Sequence, residues 1–200
     1  MSTRTRLSAP QRRELVEDAA VAVFAERGYR GASMGEIAKR SGVSVPVVYD
    51  HFASKLDLYK RLLERTRNEL LEMWGAHLFG DAPPDERIPR AIEAWATYVQ
   101  ANRERTRMYF RDADGDDEAE AVHREIKDQA RVALGVVLGR LVGPRDQEEL
   151  EMAAEVMRAG LVGLALWWHE HPHVPREQIV KVALDVMWSR YLSAAGQTMR

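Results

Sequence analysis

Three groups of side chains in this sequence have types and spacings that can do chemistry. Ser33, Met34, Ser44, Val45, Pro46, Tyr49, His51 and Lys55 fall within 23 residues and mix hydroxyls, cations and small apolar groups. Such a mixture suits contact with a phosphate backbone and with base edges. Asp112-Ala-Asp-Gly-Asp opens like a calcium loop. That loop needs Gly at its sixth position and a bidentate Glu at its twelfth, and these hold Asp117 and His123, so a solvated interhelical loop is expected instead. His169-Glu-His-Pro-His173 offers three imidazoles and a carboxylate. Pro172 breaks the helix there, so the groups wrap around a helix end and do not share a face, and no metal site is expected. No paired-carboxylate, Ser/His/Asp or phosphate-cradling Gly-rich pattern is present, and no catalytic residue or cofactor is expected.

The first group sits on elements that can be read from the chain. Ser33 suits an N-cap with Glu36 three residues on, the pattern of a capping box, and Ile37 and Ala38 give the following helix a small apolar face. Ser41-Gly42-Val43 stops it, with Gly42 in the left-handed position and Val43 as buried anchor of the turn. Ser44 caps a second short helix whose first turn tolerates Pro46. Val47, Val48 and Phe52 face inward, leaving Ser44, Val45, Pro46, Tyr49 and His51 to a partner. Two short helices around a Gly-containing turn form a helix-turn-helix. Before it, residues 14–29 read as an amphipathic helix ending in Gly, with Ala20 and Phe24 one turn apart. After it, Ser54 caps a long helix.

The order Phe24, Gly28-Tyr29, Ser33-Met34, Ile37-Ala38, Gly42-Val43-Ser44, Tyr49, Phe52, Lys55, Leu58 resembles the N-terminal domain of the TetR family of transcriptional regulators. The resemblance covers about residues 11–61, and beyond it the likeness is one of architecture. Val45-Pro46 replaces the Lys-Gly pair that often opens the second short helix, and Asp50 stands where a neutral residue is frequent. These departures bear on the DNA sequence recognised and not on the fold.

Composition bounds the rest. Two hundred residues suffice for a sizeable core. The absence of cysteine excludes disulfides, thiol catalysis and zinc–cysteine sites. The basic N-terminus has no apolar segment behind it, and no run is long enough to span a bilayer, so a soluble cytoplasmic protein without membrane contact is expected. The net charge of −2 is divided unevenly, with residues 1–60 holding 10 Lys/Arg against 7 Asp/Glu and the remainder a deficit of 5. A basic head on an acidic body fits a head that meets phosphate.

Apolar spacing predicts an all-α chain of about nine helices. Residues 1–9 form a flexible basic arm (Arg4 and Arg6 within it), residues 10–54 the DNA-binding head, and residues 55–200 a helical body for ligand binding and dimerisation. The helices are expected over about 10–27, 34–41, 45–51, 55–78, 89–102, 104–111, 117–142, 146–170 and 175–194. Breakers fall at Gly80-Asp-Ala-Pro-Pro-Asp85 and Gly143-Pro144. Asp117 with Glu120 and Asp146 with Glu149 are expected cap pairs. The resemblance implies a cavity in the body, for which Trp74, Leu78, Trp95, Tyr98, Met108, Phe110, Ile126 and Leu161 are the candidate lining. The aromatic residues and the lack of a charged cluster on the helices around 55–102 suggest a mostly apolar ligand. The last two helices carry an apolar stripe too wide for one small core. Ala153, Met157, Gly160, Leu164, Trp167, Val182 and Val186 are therefore candidates for a two-fold dimer interface.

The reading is a homodimeric repressor on a pseudo-palindromic operator, released by a small-molecule inducer. Within it, Ser44, Val45, Pro46 and Tyr49 meet bases or backbone, and Ser33, His51 and Lys55 hold phosphates. Its rivals are a constitutive DNA-binding regulator without a ligand and, less in keeping with the side chains present, a helical enzyme carrying a helix-turn-helix.

Overall fold

The computed structural model describes residues 8–113, 115–142 and 146–187. Arg4 and Arg6 of the expected arm, the Gly143-Pro144 breaker and the end of the last predicted helix, including Trp188, lie outside them.

Nine α-helices and no strand are found among the described residues. In order they are α1 (Ala9–Gly31), α2 (Met34–Ser41), α3 (Val45–His51), α4 (Lys55–Leu78), α5 (Pro84–Ala101), α6 (Arg103–Phe110), α7 (Asp117–Val142), α8 (Gln147–Glu170) and α9 (Arg176–Met187). None is long and apolar enough to cross a membrane.

Local chemistry explains the boundaries. Ser8 accepts from the Gln11 amide while the Gln11 side chain accepts from the Ser8 amide, starting α1 with a reciprocal box. Gly28 takes φ 68 and ψ 175 near the other end, so the regular helix stops there, where the sequence reading ends it. Ser33 accepts from the Glu36 amide at 3.2 Å. The returning half of that box is missing, because Glu36 is held by Arg27 at 2.6 Å and Arg40 at 3.1 Å. Gly42 closes α2 at φ 70, a conformation that costs a side-chain-bearing residue about 1–2 kcal/mol. Ser44 makes no side-chain cap, whereas Ser54 accepts from the Asp57 amide at 3.0 Å and starts α4.

Two expected starts are displaced. Helix α5 begins at Pro84, five residues early, because a proline in the first helical turn lacks only an N–H that has no helical partner there. Pro89 is then accommodated inside α5. The cap of α7 is Asp116, whose side chain accepts from the Ala119 amide at 3.0 Å, while Glu120 reaches back to the Gly115 amide at 2.9 Å. The pair is thus shifted one residue from Asp117. Asp146 caps α8 as expected, accepting from the Glu148 amide at 3.1 Å.

Helices α1 to α3 bury Val16, Ala20, Phe24, Ile37, Val48 and Phe52 against one another. Helix α4 leaves this head and packs on α5 and α7. In the body, α7 packs on α8 and α5 on α9, while α6 lies between α1 and α8. Trp95 and Trp168 are the largest side chains buried completely.

Candidate nucleic-acid interface and internal pocket

Helix α3 presents its outward residues as the spacing predicts. Ser44, Val45, Pro46 and Tyr49 are exposed, Tyr49 to 51%, and His51 is half-buried beside Phe52. Val48 is fully buried and fixes which way the helix faces. Ser33 is exposed at the start of α2, so its hydroxyl and that of Ser44 flank the turn.

Two members of the group are placed differently. Met34 is 7% exposed and belongs to the core of the head, because the first residue of α2 packs toward the buried face that follows from Ile37 and Ala38. Lys55 is spent inside the molecule. Its ammonium donates to the Tyr29 carbonyl at 2.9 Å and the Ala32 carbonyl at 3.2 Å, and sits 4.2 Å from the Tyr29 ring centroid. A cation on the carbonyls that end a helix also favours the macrodipole, so Lys55 fastens α1 to α4 and is not a free phosphate contact.

A space of about 90 Å³ lies in the body, walled by α4, α5, α6, α7 and α8. Trp74, Leu78, Trp95, Phe110 and Leu161 line it, as the sequence suggests. Tyr98, Met108 and Ile126 do not. The Tyr98 hydroxyl instead donates to Glu69 at 2.6 Å on the far side of α4, and burial together with that carboxylate pushes the phenol well above its usual range. Met108 faces the joint between α1, α4 and α6, and Ile126 is packed in the core. The lining that spacing misses includes Leu70, Leu71, Tyr109, Leu134, Val137, Met157 and Val162. Arg67, Lys127 and Arg158 also line it, and of these only Arg67 lies on α4 or α5, the helices whose lack of a charged cluster suggested an apolar ligand.

Head and body meet through an aromatic chain. Phe24, Tyr29 and Tyr59 contact one another with centroids 5.0 to 6.0 Å apart. The Tyr59 hydroxyl lies 3.2 Å from His123 Nδ1, and His123 Nε2 lies 2.8 Å from the Tyr109 carbonyl. A carbonyl only accepts, so Nε2 carries the proton and Nδ1 receives the Tyr59 hydroxyl. Burial, aided by the charge of Lys127, lowers the His123 pKa and so favours the neutral ring. A second route is ionic. Glu17 binds Arg13 at 3.0 Å and Arg65 at 2.8 Å, Arg65 binds Glu69 at 2.9 Å, and Glu69 binds Arg105 of α6 at 3.0 Å.

Of the expected interface residues, Trp167, Val182 and Val186 are exposed. Ala153 and Leu164 are half-buried against their own core. Met157 is a correction, since it is buried and turned to the internal pocket. Gly160 is exposed, and a side chain there would meet the flexible end of Met187 on the same chain's α9 at 2.9 Å. Met152 and Val156 are exposed apolar residues that the spacing argument passed over. His171 and His173 keep their ring centroids 6.1 Å apart, and His169 turns elsewhere. His169 faces Thr106, while His171 stacks on Trp167 and donates to its carbonyl at 2.8 Å.

A model of the family described as bacterial regulatory proteins, tetR family, matches residues 17–62. The transcriptional activator FasR of Mycolicibacterium smegmatis is 38% identical over 105 residues, 52% of this chain and 48% of that protein. This match thus spans about half the length of that relative. The regulator SrpR of Pseudomonas putida is 27% identical over 198 residues, covering 94% of this chain and 89% of that one. A TetR-like regulator from Rhodococcus sp. RHA1 has the same fold, with a TM-score of 0.77 at 22% identity over 94% of this chain and 99% of that one.

Proposed function

We propose that the chain, which matches the tetR family model over residues 17–62 and is similar to regulators of that family along its length, is a homodimeric transcriptional regulator whose hold on DNA is set by a small molecule in the body. Residues 10–54 are the DNA-binding head and residues 55–200 the ligand-binding and dimerisation body. Helix α3 enters the major groove, where Ser44, Val45, Pro46 and Tyr49 meet bases or backbone, and Ser33 and His51 meet phosphates. The dimer forms on the α8–α9 face that exposes Val156, Trp167, Val182 and Val186. One helix-turn-helix reads too few base pairs to specify a site alone, so the operator is a pseudo-palindrome with half-sites about 34–36 Å apart, or a multiple of that.

The observation that carries the reading is the continuity of α4. It starts at Lys55, which holds the end of α1, and runs unbroken to Trp74 and Leu78 in the pocket wall. At 1.5 Å per residue it spans roughly 36 Å. The pocket in this state is smaller than the roughly 300–1,000 Å³ of common ligand sites, so an occupant must part α4 from α7 or α8 to enter. A ligand that binds the widened state better shifts the balance toward it, and the head moves with α4. Release from the operator makes the protein a repressor.

The test starts with operator selection on the purified protein. Candidate ligands are then titrated with and without the selected DNA, read by quenching of the tryptophans. The expected result is a palindromic site and ligand affinities that differ by about 5–150-fold between the two titrations. Equal affinities would leave a DNA-binding dimer without a ligand switch.

A further inference from the structure

The charge on the pocket wall is of one sign. Arg67 of α4, Lys127 of α7 and Arg158 of α8 are its charged side chains, and no carboxylate lines it among the described residues. The three are neighbours. The charges of Arg67 and Arg158 both act on the Tyr109 hydroxyl, and those of Lys127 and Arg158 both act on Asp112. The rest of the wall, from Trp74 and Trp95 to Leu161, is apolar.

Each cation is held by a partner that does not line the pocket. Lys127 donates to Asp112 at 2.6 Å, Arg158 to Glu155 at 2.9 Å and 2.5 Å, and Arg67 to the Gln129 side chain. Gln129 is neutral and leaves the charge of Arg67 uncompensated. Half-buried cations beside an apolar wall are costly unless paired, and guanidinium groups in particular match carboxylate, sulfate and phosphate geometry with two parallel donors.

On the reading of this pocket as the effector site, we propose that its ligand is an amphipathic anion. The negative head lies among Arg67, Lys127 and Arg158, and the apolar tail runs toward Trp74 and Leu161. The tail enters by displacing side chains, since the existing space holds only about three water-sized groups. A neutral molecule of the same tail fills the apolar end but does nothing for the positive charge that the neutral partners Gln129 and Asn68 leave on Arg67, and an amine adds a like charge beside it.

Four probes with one tail test this on the full chain: octanoate, octyl sulfate, octanol and octylamine, each titrated by tryptophan quenching at low and high salt. Octanoate and octyl sulfate are expected to bind about tenfold or more tighter than octanol, because hydrogen bonds between charged partners are the strong ones. That advantage is expected to shrink as salt rises. In Arg67→Gln and Arg158→Gln variants, checked for folding by thermal melts, the ratio of octanoate to octanol affinity should collapse toward one. Octanol binding as tightly as octanoate, or octylamine binding most tightly, would overturn the anion and leave the effector pocket standing. Saturation by none of the four would remove both.

Discussion

At the scale of single residues, the sequence discloses what depends on near neighbours along the chain. Ser54, Gly42 and Asp146 perform as caps because their partners lie within a few residues. Met34 and Lys55 depart from expectation because their surroundings are set by α1, more than twenty residues away for Lys55. A lysine at the start of a helix looks like an anion contact until the fold puts two carbonyls in front of it. Lys55→Ala is therefore expected to lower stability by about 1–3 kcal/mol, the cost of leaving buried acceptors unmade. Urea denaturation of the variant and the unmodified protein measures this, and unchanged stability would return the ammonium to the DNA side.

At the scale of elements, α6 is short yet tied at every turn. Arg103 donates to the Trp168 and His169 carbonyls at 3.2 Å and 3.1 Å, Arg105 reaches Glu69, and the Tyr109 carbonyl receives His123. Thr106 Oγ1 lies 3.1 Å from His169 Nε2, joining α6 to the end of α8. Burial, with help from the charges of Arg103 and Arg107, pushes His169 down to about 4 from an ordinary 6.5. The unfolded chain then binds more protons between those values, so stability is complete above about pH 6.5 and is lost as pH falls toward 4. Burial shifts His123 in the same direction. Denaturant midpoints at pH 7 and pH 5 should differ in that sense, and His169→Gln, which keeps hydrogen-bonding capacity without titrating, should narrow the gap. An equally steep fall in the variant would place the dependence elsewhere. None of these ties was legible beforehand, since the spacing offered α6 only as a short helix over about 104–111 with Met108 and Phe110 as candidate lining, and its partners lie on α4, α7 and α8.

At the scale of the whole molecule, helix order and number follow from breakers and apolar spacing, whereas the division of α8 between inside and outside does not. Met157 and Val156 are adjacent, and one faces the pocket while the other is 71% exposed. A wide apolar stripe cannot say where that division falls, because both sides are apolar for different reasons. The exposed side, with Val186 at 76%, is the proposed dimer face. Val156→Glu and Val186→Glu should fold normally, because neither side chain contributes much to the monomer core. Sedimentation should show monomers, and tight binding to the selected operator should disappear. Dimers that persist in the double variant would move the interface off α8 and α9.

So small a pocket has a consequence for how such a regulator would answer a rising concentration of its signal. If only a small fraction of molecules is open at any moment, the apparent affinity is the intrinsic one reduced by that fraction. The threshold of the dose–response curve is then set by how hard the walls are to part, and the height of the response by how differently the two states hold DNA. Trimming Trp74 would shift the first by making opening easier, and trimming it too far would leave the head moving without any signal. Sensitivity and leakiness would be two readings of the same 90 Å³.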